Sequence, residues 1–318
     1  MNPNIQTGGR VDRLVSNVLL AYTNDQFIAD QIFPSVPNLK DETGLLGKLS
    51  NHHLRQYTAK RTMYDTGDHR IEFQYSQSDR YNIDFYDLEI YVPDRLRDQL
   101  QTPFDARRDA ATVLQQALML EREVGIANAL TSTSILTNNV TLSGTSKFSD
   151  FDNSTPELVI ETARDTIFEA TGREANCAVM SRKVANTLKA HPFFLELAKR
   201  NAGGSVKNLN LSTFVELFKS WFELDKVLIG KSIKITSKEG QTETKDGIWN
   251  DDLVLYSAPT SPSLMTPSFG YSFSIAGKNR TAKVYREKKD KGDIVEVENA
   301  YQDMIVDANS AYLVKSAI

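Results

Sequence analysis

The stretch Phe27-Ile28-Ala29-Asp30-Gln31-Ile32-Phe33-Pro34-Ser35-Val36-Pro37 decides how the 318-residue chain is read. Its two prolines, three residues apart, fix an extended backbone, because each locks φ and pushes the preceding residue out of the helical region. Phe27, Ile28, Ile32, Phe33 and Val36 crowd around them and need a surface to cover. With no obvious partner nearby in sequence, this arm is expected to dock onto another part of the fold or onto another subunit. Before it, residues Val11 to Ala21 form one helical patch.

Beyond the arm, Gly44 to Tyr91 reads as strands and is unusually polar for its length. Ile71-Glu72-Phe73-Gln74-Tyr75 alternates, and Ile83-Asp84-Phe85 alternates again after the turn-like Ser76-Gln77-Ser78-Asp79-Arg80. The pattern predicts a long hairpin. Two strands bury too little to be stable alone, so this hairpin also has to lean on something else.

The clearest helix runs from Asp105 to about Leu130, with Val113, Ala117, Leu120, Val124 and Ala127 as its apolar stripe and Asp105 or Thr102 as its cap. It reads as a strut with that stripe packed on the protein's own sheet. A compact α/β portion follows. Thr155-Pro156-Glu157 starts a helix with Ile160, Ala163, Ile167 and Ala170 inward, and Gly172 ends it. Further helices begin at Ser181 and near Pro192, and another runs from about Ser212 to Phe222 with Ser212 as cap. Strands are expected at Ala178 to Met180, Lys226 to Ile229 and Asp252 to Tyr256, with a surface hairpin or loop over Lys234 to Gly247. After the prolines Pro259, Pro262 and Pro267, strands recur at Ala282 to Tyr285, Ile294 to Val297, Met304 to Val306 and Tyr312 to Val314.

Composition excludes several classes. A net charge of -4 and a pI of about 5.7 argue against a protein built to neutralise nucleic-acid phosphates. Cys177 is the only cysteine, so one chain can form neither a disulfide nor a Cys-based zinc site, and its apolar surroundings make it a core residue. The first ten residues lack the basic start and apolar core of a secretory signal, no stretch reaches the length of a membrane span, and a cytoplasmic location is expected.

A search for chemistry returns little. Gly203-Gly204 lacks the Lys-Ser/Thr of a phosphate loop, there is no His-Glu-x-x-His, and no Gly-x-Ser-x-Gly elbow occurs. His52, His53 and His69 read as solvated histidines more readily than as metal ligands, and the pairs Asp150/Asp152 and Asp251/Asp252 as caps and turns. His191 before Pro192 reads as a helix junction, and Arg107, Arg108 and Arg122 as solvated or paired. No catalytic residue, cofactor or metal site is expected.

The order of the pieces resembles the major capsid proteins of tailed bacteriophages, which share the Hong Kong 97 fold. Asn24 through Pro37 resembles their arm. Ala170-Thr171-Gly172-Arg173-Glu174-Ala175-Asn176 and His191-Pro192 are similar to junctions of their axial domain. Leu264-Met265-Thr266-Pro267-Ser268-Phe269-Gly270-Tyr271 and Tyr301-Gln302-Asp303-Met304-Ile305-Val306 resemble the return to their peripheral domain. The resemblance implies an α+β fold with an N-terminal arm over 1–43, an extended hairpin loop over 44–91, a peripheral domain with a spine helix over 92–153, an axial domain over 154–260 and peripheral strands over 261–318. It implies a subunit that forms hexamers and pentamers in an icosahedral shell around double-stranded DNA, with a scaffolding protein, a portal protein and, in some shells, a decoration protein as partners, and no membrane. Phe27, Ile28, Ile32, Phe33, Val36, Ile71, Phe73, Tyr75, Ile83 and Phe85 are then the candidates for contact between subunits. An encapsulin-like compartment, or an enzyme with an unrecognised site, would be the competing readings.

Overall fold

A computed structural model of the chain describes residues 27–45, 48–49, 75–76, 80–99, 105–202, 208–238, 240–260, 262, 268–287, 289 and 291–318. The first part holds α1 (Ala29–Ile32), β1 (Ser35–Leu39), β2 (Thr43–Leu45), β3 (Lys48–Leu49), β4 (Tyr75–Ser76), β5 (Arg80–Asn82), β6 (Asp84–Pro93), α2 (Asp94–Gln99) and α3 (Ala106–Leu130). The middle holds β7 (Asn139–Thr141), α4 (Pro156–Thr171), β8 (Cys177–Ser181), α5 (Arg182–Ala190), α6 (Pro192–Ala202), α7 (Leu211–Trp221), β9 (Lys226–Gly230), β10 (Ile233–Ile235), β11 (Lys245–Gly247) and β12 (Leu253–Tyr256). The last part holds β13 (Gly270–Ile275), β14 (Thr281–Glu287), β15 (Gly292–Ile305) and β16 (Ala311–Lys315).

One sheet is built around β15, which pairs with β6, β13 and β14, while β1 lies parallel to β13. Helix α3 lies over this sheet in the same chain direction as β15. Near its start Arg107 Nε donates to Asp293 at 2.9 Å, in the middle Leu114 and Leu118 share an apolar cluster with Val295 and Val297, and further on Arg122 grips Asp303. The helix begins where expected, because the Asp105 carboxylate accepts the Arg107 N–H at 3.0 Å.

The second sheet has the order β7-β16-β12-β8-β9. Every residue of β8 and β12 is buried, as a strand covered on both faces requires. On one face Ala178, Met180, Leu253 and Leu255 meet α4 to α7, with Phe194, Phe214, Phe218 and Phe222 as the bulk of that core. On the other face Cys177, Val179, Val254 and Tyr256 meet Ile126, Ala127 and Leu130 at the end of α3. Helix α3 therefore joins the cores of the two sheets. At the end of α4, Gly172 takes the left-handed conformation (φ 69°) expected of a helix stop.

Four expectations are corrected. The stripe of α3 that packs on the sheet is Ala106, Ala110, Ala111, Leu114 and Leu118, whereas Val113 and Ala117 are exposed. Alanines let the helix approach the sheet closely, but they contribute little to a pattern read from large apolar residues. The hairpin has a different register. Residues 75–76 and 80–82 lie on one limb and pair with 48–49 and 43–45, so Ser76 to Arg80 is not its reversing turn. Residues 261–318 do not all return to the first sheet, since β16 pairs with β12 and, in parallel, with β7. The helix near Ser212 starts one residue earlier, and Asn210 is its first flanking residue, without a side-chain cap.

Candidate assembly site

The arm is anchored by a buried carboxylate. Glu123 of α3 is fully buried; its Oε2 accepts the backbone N–H groups of Ile28 (3.0 Å) and Ala29 (2.7 Å). Its Oε1 accepts the Trp249 indole N–H (2.6 Å) and the Ser232 hydroxyl (3.1 Å). One side chain thus ties the arm, the strut helix and the segment around β10 together. Burial pushes its carboxyl above the usual range, against the four hydrogen bonds, which favour the ionised form. Beside it Arg122 forks onto Asp303 (2.7 Å for each bond), donates to Ser272 (3.0 Å), lies over the Tyr301 ring and pairs with Asp30 of the arm. Tyr256 and Lys226 donate to the carbonyls of Ile32 (3.1 Å) and Gln31 (2.7 Å).

This corrects the expectation that the arm lacks a local partner. Ile28, Ile32, Phe33, Val36 and Ile83 are buried within their own subunit, and Phe27 is half-buried. The reason is that the extended segment becomes β1, with Ser35 opposite Ser272 and Val36 opposite Phe273, an added strand that no local pattern reveals. Of the remaining candidates Phe85 is 39% exposed. Ile71 and Phe73 lie outside the described residues; Tyr75 falls in β4, with its side chain outside the description.

What does remain open is β6. Phe85, Tyr86, Leu88 and Tyr91 are all more than a third exposed. On one face of the sheet, Glu89 stands directly opposite Glu296 and Asp87 opposite Glu298, with Lys283 reaching both glutamates of β15. Like charges so placed repel. On the ladder of β10 and β11, Ile233 and Ile235 are also exposed. Phe85 is among the expected contact residues; Tyr86, Leu88 and Tyr91 are not, because alternation with acidic residues makes the strand look merely solvated.

Among the described residues, the groups weighed as chemical candidates make structural contacts. His191 Nδ1 faces the Phe193 N–H at 3.3 Å, so it is the unprotonated nitrogen, and Nε2–H points at Ser154 Oγ at 3.1 Å. That polarity is the reverse of a base activating a hydroxyl; the ring caps α6 instead. The Cys177 thiol is pushed up to about 11 by burial, far from a nucleophile's range. Asp150 accepts the N–H groups of Asp152 and Asn153 in a turn, and Asp252 accepts that of Ser316 at 2.8 Å. Among the described residues no three His, Cys, Asp or Glu side chains gather around a metal position, and no helix is long and apolar enough to cross a membrane. His52, His53 and His69 lie outside the described residues.

No family model matches the chain. It is 26% identical over 311 residues to the major capsid protein of Burkholderia phage BcepMu, covering 96% of this chain and 95% of that protein. Over nearly its whole length the chain is similar to a phage major capsid protein. The fold agrees. A phage-related protein from Bordetella bronchiseptica RB50 superposes with a TM-score of 0.74 at 22% identity, covering 98% of this chain and 99% of that chain. The SrpI encapsulin of Synechococcus elongatus also shares the fold, with a TM-score of 0.53 at 9% identity over 99% and 92% of the two chains. The chain thus has an α+β fold of the Hong Kong 97 type.

Proposed function

We propose that this chain is a capsid protein that assembles as hexamers and pentamers into an icosahedral shell around double-stranded DNA, in the bacterial cytoplasm, and catalyses no reaction. Residues 1–43 act as the arm, 44–91 as an extended loop, α3 as the spine, 154–260 as the axial domain and the sheet around β15 as the peripheral domain. The observation that carries this reading is the hairpin stem. Among the described residues the ladders of β2 with β5 and of β3 with β4 each have two strands, and a two-stranded ladder is marginal unless a further surface covers it. A neighbouring subunit supplies that surface, and the exposed apolar residues of β6, Phe85 among them, lie where the stem meets the sheet. The slightly acidic chain suits a wall that lets DNA move. A separate scaffolding protein, a portal protein and, in some shells, a decoration protein complete the assembly.

Whole-length sequence similarity to a phage capsid protein favours a genome container over an encapsulin-like one, for which the similarity is of fold alone. The test is electron microscopy of the protein co-expressed with its scaffolding protein, with the ratio of absorbance at nucleic-acid and protein wavelengths read on purified particles from infected cells. Closed DNA-filled shells are expected. Replacing residues 50–74 by a short turn leaves a folded subunit that no longer closes shells; normal shells from that variant would overturn the role given to the loop.

A further inference from the structure

Helix α3 packs on both sheets, through Ala110, Ala111, Leu114 and Leu118 on the first and Ile126, Ala127 and Leu130 on the second, and it carries a further apolar stripe between them. Val113, Ala117, Leu120 and Val124 follow one another at spacings of four, three and four, the interval of a seam between two helices. That further stripe turns away from the first sheet: Val113 is 55% exposed, Ala117 is exposed, and Leu120 and Val124 are half-buried. Val113 and Ala117 are its open part, and Leu120 and Val124 are only partly covered.

The place where the described chain begins suggests the occupant. Leu120 and Val124 pack against the same cluster that contains Ile28 and Ala29, and the Ile28 N–H is held by Glu123 of the same helix. The described chain therefore begins beside this face. Earlier in the sequence Val11, Leu14, Val18 and Ala21 follow at spacings of three, four and three, which complements the open seam. As a helix, Val11 to Ala21 would be about 16 Å long at 1.5 Å per residue, which matches the rise from Val113 to Val124. Residues 22–27 can span roughly 20 Å when extended, enough to place such a helix on the seam in either direction.

We propose that Val11–Ala21 docks as a helix on the Val113, Ala117, Leu120 and Val124 face of α3 in its own subunit, so that Glu123 clamps the hinge between a docked helix and the arm. The proposal does not depend on the shell reading, since it concerns one subunit.

Ala117→Cys places a thiol in the middle of the seam, and its rate of modification by a small maleimide reports whether the seam is covered. Cys177, buried and with its thiol pushed up to about 11, provides a slow background. The comparison is the same variant carrying Val18→Asp, which removes the docking stripe without touching α3; Arg108→Cys, on another exposed side of the helix, is the control for intact folding. Labelling of Cys at 117 is expected to be roughly tenfold slower or more without Val18→Asp, at every subunit concentration, since each factor of ten corresponds to about 1.4 kcal/mol of docking. Equal rates in the two chains would overturn the proposal. Protection that grows with subunit concentration, or that needs added scaffolding protein, would overturn it too, by assigning the seam to a second copy or to a partner helix.

Discussion

The Trp249 indole N–H lies 2.6 Å from Glu123 Oε1, a charge-assisted bond between the strut helix and the segment following β11. With Ser232 on the same oxygen and two backbone N–H groups on the other, every donor around this carboxylate needs an acceptor. Glu123→Gln keeps the shape but turns one oxygen into a donor, so one pair of N–H or O–H groups loses its partner in a buried place. A loss of about 2–4 kcal/mol in urea unfolding is expected, and Glu123→Ala loses at least as much. A change in Glu123→Gln of under about 0.5 kcal/mol would mean that the clamp carries no stability.

A second prediction concerns how the arm is seated. A Cβ at Gly270 would come within 2.3 Å of the Phe33 ring and 2.7 Å of the Met304 carbonyl oxygen. Gly270→Ala therefore pushes Phe33 out of its stack on Phe269 and is expected to cost about 1–3 kcal/mol. Limited proteolysis within the arm should speed up in parallel with the loss of stability. Unchanged cleavage together with full stability would show that Phe33 moves aside freely.

The fold was legible where its signals are local. Asp105, Pro156, Ser181 and Gly172 mark helix ends through caps and backbone preferences that act within a turn, and the structure places them there. Strands β8, β9 and β12 were legible as short apolar runs. What failed depended on distant partners. The face of α3 was misread because its packed side is made of alanines together with buried Gln115 and Glu123, residues that a hydrophobic pattern counts as weak or polar. The partners of β1 and β16 lie hundreds of residues away in the chain or in another sheet. Of the contact candidates, Ile28, Ile32, Phe33, Val36 and Ile83 are buried, but the apolar pattern could not say whether their own subunit or a neighbour buries them.

Asp252 offers a test by pH. Burial pushes its carboxyl above the usual range, opposed by the Ser316 N–H and the charge of Lys315. The folded state therefore takes up this proton at a higher pH than the unfolded chain does. It follows that the group's contribution rises as pH falls towards the ordinary carboxylate range and is lost as pH rises through the raised value. Compared by urea unfolding at neutral pH, Asp252→Asn should equal or exceed the native protein; on acidification towards the ordinary carboxylate pKa, near 3.9, the native protein should gain on the variant. A gap that widens in the opposite sense would show that the ionised form is the favoured one in the fold.

The last prediction separates folding from assembly. Phe85 is 39% exposed on β6, with the Lys278 ammonium 5.2 Å from its ring centroid. A cation over an exposed ring contributes about 0.5–1 kcal/mol, so Phe85→Ser should change subunit unfolding by no more than about that amount. Ile233→Ser, on the exposed β10 ladder, should likewise leave unfolding nearly unchanged, because a side chain already in water loses little burial. In a shell, both positions would lose contacts repeated in every copy, so a small defect per subunit becomes a large one in the particle. The yield of closed shells, counted by electron microscopy against equal amounts of soluble subunit, should fall severalfold for each variant. Normal yields from a variant would remove its strand from the contact surface, and a subunit that unfolds would show instead that the residue supports its own fold.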